Sequence, residues 1–333
     1  MKRTLVILLL VLLASSTAVA APQTGAGKMI GISHFWLGND WNLFMKDAMV
    51  PYLESRGYKV NVTNAMGRTD QQKADIENFI SSKVNGLIIA GGEAGAFMDL
   101  SLKAKAAGIP LVTIDMVLPG GISSVSADNY GGGTQLGLFI VKQLKGAGKV
   151  MILDSPGWKS VQIRGEMVKA VLSDYPGIKI VGSYEVNSAD PVNSAYSIAK
   201  SVIKSNPDLK AILCTWGLPS LGANQAVTEL GLEKQVVIAN ADSDKAILEA
   251  MGSKGAPVWG MLGQNSRVLG NNAAKILDDA LVNGVNSVPF AKWGPTYLVT
   301  NIDVAEAFSK LEYVDKSSLW SIAYGDKDNP FKK

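Results

Sequence analysis

The chain has 333 residues, 47% of them hydrophobic, more apolar material than one core usually holds, so two domains are expected. Its 32 basic and 29 acidic residues leave a formal charge of +3, without the basic excess that binding nucleic acid or an anionic membrane surface calls for. A single cysteine, Cys214, excludes an intramolecular disulfide, and a single histidine, His34, excludes histidine-based metal clusters and any His-paired nucleophile that does not use His34 itself.

In chain order, the first element is a leader. Lys2 and Arg3 precede an apolar run over 5–14, and Ala18 and Ala20 follow at cleavage spacing, the pattern of a signal peptide over 1–21. Its apolar core of about ten residues is half of the roughly 20 needed to span a bilayer as a helix. No cysteine stands at the cleavage point, which excludes lipid anchoring there, and the expected destination is the periplasm. Losing Lys2 and Arg3 leaves 30 basic against 29 acidic groups. From Lys28, short apolar runs over 29–33, 59–63, 86–90 and 110–115 alternate with amphipathic stretches over 39–56, 69–82 and 95–107, the pattern of parallel strands joined by helices. Thr69 or Asp70 is placed to open the second helix, and Gly57 and Gly108 to close the first and third. A second set of strands follows at 149–153, 178–184, 211–215, 236–239 and 258–262. Two such sets predict an α/β chain of two doubly wound parallel-sheet lobes. Segments 122–130, 263–266 and 287–294 are the candidate crossovers, giving an N-terminal lobe of 26–126 plus 264–290 and a C-terminal lobe of 127–263 plus 291–333. Within the latter, a short helix over 304–311 and then an irregular strap along the lobe are expected.

Catalytic and cofactor chemistry finds no footing. GAGKV at 146–150 lacks the upstream glycine spacing and the Ser or Thr of a phosphate loop, and GGGT at 131–134 does not form a dinucleotide fingerprint. Cys214 lies in an apolar strand and reads as core. His34, alone at a strand end, is expected to be structural or to line a ligand. No enzyme activity, cofactor or metal is expected.

The ordered set of segments SHFWLGNDWNLFMKDAM, DQQKADIENFISSKVNGLIIAG, GIPLVTID ending at Asp115, VSADN at 125–129, Arg164-Gly165-Glu166, NPDLKAILCTW, LGAN and Gln264 resembles the periplasmic sugar-binding proteins of the ribose and galactose type. These share their fold with the ligand domain of lactose-repressor-like regulators. The resemblance covers the chain from the end of the leader to about Asn301. It implies the periplasmic binding protein type I architecture: two lobes, three crossovers, and a ligand trapped between the lobes by hinge closure. A leader stands where a regulator would carry its helix-turn-helix.

The resemblance also implies site residues. The loop after the first strand supplies Phe35, Trp36, Asn39 and Trp41, with Trp41 the nearest match to the family's stacking aromatic. Asp115 matches the aspartate that accepts hydrogen bonds from ligand hydroxyls. Trp158 and Gln162 precede Arg164 in the second lobe, Trp216 follows AILCT, Asp242 with Asn240 as its competitor follows VVIA, and Gln264 matches directly. Three departures make the cleft less charged: Met116 and Gln162 stand where relatives carry arginine, and Trp216 where they carry an amide. The expected ligand is therefore a neutral sugar or sugar-like compound, such as a polyol or a deoxy or cyclic derivative, rather than ribose itself. Expected partners are an ABC permease in the inner membrane or, in a second reading, a membrane histidine kinase or chemoreceptor, with the protein acting as a monomer.

Overall fold

A computed structural model describes residues 24–302, 316–324 and 329–332. The expected leader at 1–21 and helix at 304–311 lie outside the described residues. The first unit runs β1 (Met29–His34), α1 (Asp40–Ser55), β2 (Lys59–Asn64), α2 (Thr69–Ser81), β3 (Gly86–Ala90), α3 (Ala94–Ala106), β4 (Leu111–Ile114), β5 (Ser123–Ala127). The second runs α4 (Asn129–Leu144), β6 (Ala147–Asp154), α5 (Lys159–Ser173), β7 (Gly177–Glu185), α6 (Pro191–Ser205), β8 (Leu209–Cys214), α7 (Pro219–Glu229), β9 (Val237–Ala241), α8 (Lys245–Met251), β10 (Trp259–Gln264). The chain then returns through α9 (Ser266–Asn283) and β11 (Ala291–Gly294) to β12 (Thr296–Thr300) and α10 (Lys316–Tyr324).

Local chemistry explains the boundaries. The side chain of Asn39 accepts from the Asn42 amide and opens α1, and that of Asp128 does the same for α4 through Gly131. Gly57 and Gly108, at φ +90° and +71°, follow α1 and α3 in the left-handed region that a Cβ disfavours. The opening of α2 differs from expectation: Arg68 stands at the cap without a side-chain bond.

The two six-stranded sheets have one order, β2-β1-β3-β4-β5-β11 and β7-β6-β8-β9-β10-β12. All pairings are parallel except that of β12 with β10. In each sheet the first strand is flanked on both sides by later strands, which creates a switch point at the carboxyl ends of β1 and β3, and of β6 and β8. The lobe boundary proposed at 290/291 needs correction. β11 pairs with β5 in the first sheet, so the third crossover falls at Pro295, and residues 291–294 belong with the N-terminal lobe. Only Gly294 of that strand is buried, which is why no apolar pattern announces it. The crossovers brace one another, since Asp128 N–H donates to Gly294 O at 3.2 Å and Thr296 Oγ1 to Asp128 O at 3.3 Å.

Apolar layers fill the space between each sheet and its helices, with α1 and α9 over one face of the first sheet and α4 and α5 over one face of the second. The strap of the C-terminal lobe includes α10, which buries Leu319, Trp320 and Tyr324 with Met261 and Val299. Tyr324 accepts from Ser243 Oγ at 2.7 Å, and Phe44 of α1 meets Trp320 and Tyr324 edge-on at 5.9 and 5.4 Å. The strap thus supports the 242–244 loop from behind. Trp320→Ala is expected to cost about 3–5 kcal/mol, the usual price of emptying a buried aromatic site, as a lower urea midpoint at unchanged slope.

Candidate ligand-binding site

The carboxyl ends of β1, β3 and β4 face those of β6, β8 and β9 across a cavity of about 610 Å³, its open mouth included. Aromatic rings from both lobes meet there. Phe35 approaches Trp158 edge-on at 5.6 Å, Trp36 approaches Trp216 edge-on at 6.4 Å, and Trp158 lies against Trp216 at 5.1 Å. Trp216 is held by its indole N–H, which donates to Ser155 Oγ at 2.9 Å. The contacts of the first lobe with the second continue at the N-terminus of α1, where Trp41 N–H donates to Asp244 Oδ1 at 3.2 Å and Lys245 N–H to Asp40 Oδ2 at 2.9 Å. The lobes are therefore engaged across the cleft.

Two carboxyls enter the cavity from equivalent places. Asp115 follows β4 and Asp242 follows β9, each the fourth strand of its unit, and both adopt positive φ, +62° and +70°, an uncommon conformation for a residue with a side chain. Asp115 accepts from Ser126 Oγ at 2.8 Å. Asp242 accepts from Gln264 Nε2 at 2.6 Å and lies 3.3 Å from Arg164 Nη1. Burial raises the pKa of both carboxyls, and the Arg164 guanidinium opposes the rise. Burial, then the charges of Asp242 and Asp40, push Asp244 up to about 7. Arg164 is itself almost fully buried and donates to Asn129 Oδ1 at 2.7 Å and to Thr215 O at 3.2 Å.

Residues 30–284 match the family model described as "Periplasmic binding protein domain". The chain belongs to this family of non-catalytic binding proteins. It is similar to the ribose import binding protein of Bacillus subtilis, 25% identical over 268 residues, 79% of this chain and 85% of that one. A xylitol-binding protein of Mycolicibacterium smegmatis is 27% identical over 304 residues, covering 87% and 83%. Among solved structures, an ABC sugar transporter subunit from Rhodobacter sphaeroides 2.4.1 superposes with a TM-score of 0.79 at 26% identity, over 83% of this chain and 98% of that one. The two lobes are thus those of a type I periplasmic binding protein, with the cavity at their switch points.

Eight of the eleven expected site residues line this family member's cavity: Phe35, Trp36, Asn39, Trp41, Asp115, Trp158, Trp216 and Asp242. Asn39 also spends its side-chain oxygen on capping α1, and Trp41 is largely embedded in the first core. The other three stand outside the lining. Gln162 projects along α5 to Glu166, 2.7 Å away. Asn240 is fully buried, accepting from Trp259 Nε1 at 2.7 Å and donating to two backbone carbonyls. Gln264 acts at one remove, holding Asp242. Arg164, absent from the expected lining, forms part of it. The signal was present in the sequence, because Arg164 interrupts the buried stripe Val161, Val168 and Leu172 of α5, and a charge on a buried stripe needs a partner.

His34, at the end of β1, is completely buried beneath the site, and burial, then the nearby Lys46, lower its pKa to about 4. An unfolded histidine titrates near 6.5, so the unfolded chain takes up the proton first as pH falls. The stability due to neutral His34 is present above about pH 6.5 and lost as pH drops towards 4, about 3 kcal/mol in all. Urea unfolding of the native protein and His34→Gln at pH 4 to 8 is expected to show the native protein losing stability relative to the variant over that window. A constant difference would contradict it.

Proposed function

We propose that this protein captures a small neutral sugar or sugar-like molecule, such as a polyol or a deoxy or cyclic derivative, between its lobes and delivers it to an ABC permease. It would do so as a monomer in the periplasm after loss of 1–21. The observation that carries this reading is the pairing, across one cavity, of flat indole surfaces with two positioned carboxyls, Asp115 and Asp242. Indole faces suit the C–H faces of a ring or polyol, and carboxyl oxygens accept from hydroxyls, which would otherwise cost about 1–3 kcal/mol each if buried unpaired. Relatives named for ribose import and for xylitol binding lend support.

The charge balance argues for a neutral ligand. The charged groups of the lining are Asp115 and Asp242 against Arg164 and Lys159, and Arg164 already contacts Asp242 and opposes the raised pKa of both carboxyls. A sugar acid or sugar phosphate would add anionic charge to a lining whose two cations already face two carboxyls. The binding step is a population shift, in which a ligand touching both lobes favours the engaged form by its differential affinity.

A thermal-shift screen of pentoses, hexoses, deoxy sugars, polyols and cyclitols tests the reading. A ligand at 100 times its Kd should add about 2.7 kcal/mol, and Asp115→Ala should weaken binding of that compound by about 10- to 150-fold, the loss of one hydrogen bond to a charged acceptor. Shifts from charged solutes alone would sink the neutral-ligand reading.

A further inference from the structure

The cleft does not end at Asp115. Past that residue, along the carboxyl ends of β4, β5 and β11, lies a second cavity of about 790 Å³, its mouth included. Asp115 and Lys159 line both cavities, so the two share a wall and form successive parts of one groove. The chemistry changes across that wall. The floor of the second part is apolar, with Met116 and Ile163 buried. At its mouth the rings of Tyr130 and Trp293 lie nearly parallel, 14° apart with centroids at 6.1 Å, and remain 47% and 56% exposed. The polar side chains of β5 and its end turn to internal duties. Ser124 Oγ donates to Met116 O at 2.7 Å, Ser126 Oγ to Asp115, and Asn129 donates to Ser126 Oγ at 3.0 Å while accepting from Arg164.

We propose that this second cavity is a subsite for an apolar substituent, alkyl or aryl, carried by the sugar-like ligand whose polar part occupies the first cavity. A second sugar unit would bury hydroxyls where the side chains named above are already engaged, at a cost for each one left unpaired. An apolar group displaces water from Met116 and Ile163 and reaches the exposed aromatic pair, where its burial is favourable. The natural ligand class is then a substituted sugar or polyol, such as an alkyl or aryl glycoside or a sugar alkylated at its terminal carbon. This inference rests on the function proposed above, and the experiment separates the two.

The test is calorimetric titration with parent sugars and polyols, and with the same compounds bearing a methyl, butyl or phenyl group at the anomeric or the terminal carbon. At least one butyl or phenyl derivative is expected to bind tenfold or more tightly than its methyl counterpart. Trp293→Ala, a change at an exposed position that spares the fold, should remove that advantage and leave the parent compound's affinity unchanged. Parent sugars that bind, with no gain from any larger substituent or with a gain that Trp293→Ala does not alter, overturn the subsite and leave the proposed function standing. Failure of every sugar-like compound to bind overturns both.

Discussion

One buried positive charge holds together the second lobe's half of the candidate site. Taking a guanidinium out of water costs several kcal/mol, which only good hydrogen bonds and an opposite charge return. Arg164 obtains both from groups on three different segments: Asn129 just past the first crossover, the carbonyl of Thr215 after β8, and Asp242 after β9. Gln264, at the end of β10, completes the set by donating to the same Asp242 oxygen that lies nearest Arg164. Two of the three crossovers are therefore tied to the same carboxyl that faces the cavity. Moving any of these segments independently would leave a buried charge or amide unpaired, so the second lobe carries its half of the site as a rigid unit.

The two halves of the site are alike in plan and unlike in chemistry. Equivalent strands deliver Asp115 and Asp242, both in left-handed geometry, which turns each carboxyl off the end of its strand and towards the other lobe. Held strain of this kind persists where the surroundings over-determine it, and here backbone bonds do so, from Asp115 N–H to Val125 O and from Asp242 N–H to Leu262 O. The first lobe adds aromatics from the short loop between β1 and α1, whereas the second fixes Trp216 through Ser155.

Much of this plan was legible in the sequence, for identifiable reasons. Strands buried on both faces, such as β3 with all five residues buried, show as unbroken apolar runs, and the rule that ligands sit beyond carboxyl ends then selects the residues just after them. What escaped was what breaks these patterns. β5 reads SSVSA, and its Ser124 and Ser126 serve local hydrogen bonds rather than an apolar face; β11 is an exposed edge. On α5, resemblance selected Gln162, yet the helix turns that position towards Glu166 and brings Arg164 inward. Helical phase, which places residues two apart on different faces, decides between them. Asn240 and Asp242 lie two apart at the end of a strand, where alternation alone would put both on one face; the left-handed turn at Asp242 separates them, sending one into the core beside Trp259 and the other into the cavity.

The same geometry limits what can drive closure. The direct bonds between lobes at the start of α1 use Asp40 and Asp244, two carboxyls that repel each other and lie near Asp242. Each backbone bond they accept is favourable, but crowding acidic groups in a desolvated place works against it, as the elevated pKa of Asp244 shows. Interlobe contact of this kind therefore carries a cost beside its gain. That is what a capture protein requires, because a ligand shifts an equilibrium only by its differential affinity for the two forms, and a closed state too stable by itself would shut the cleft before the ligand arrived. In the binding mode proposed above, a neutral hydroxyl-bearing ligand would supply such an increment by donating to Asp115 and Asp242 together, one from each lobe.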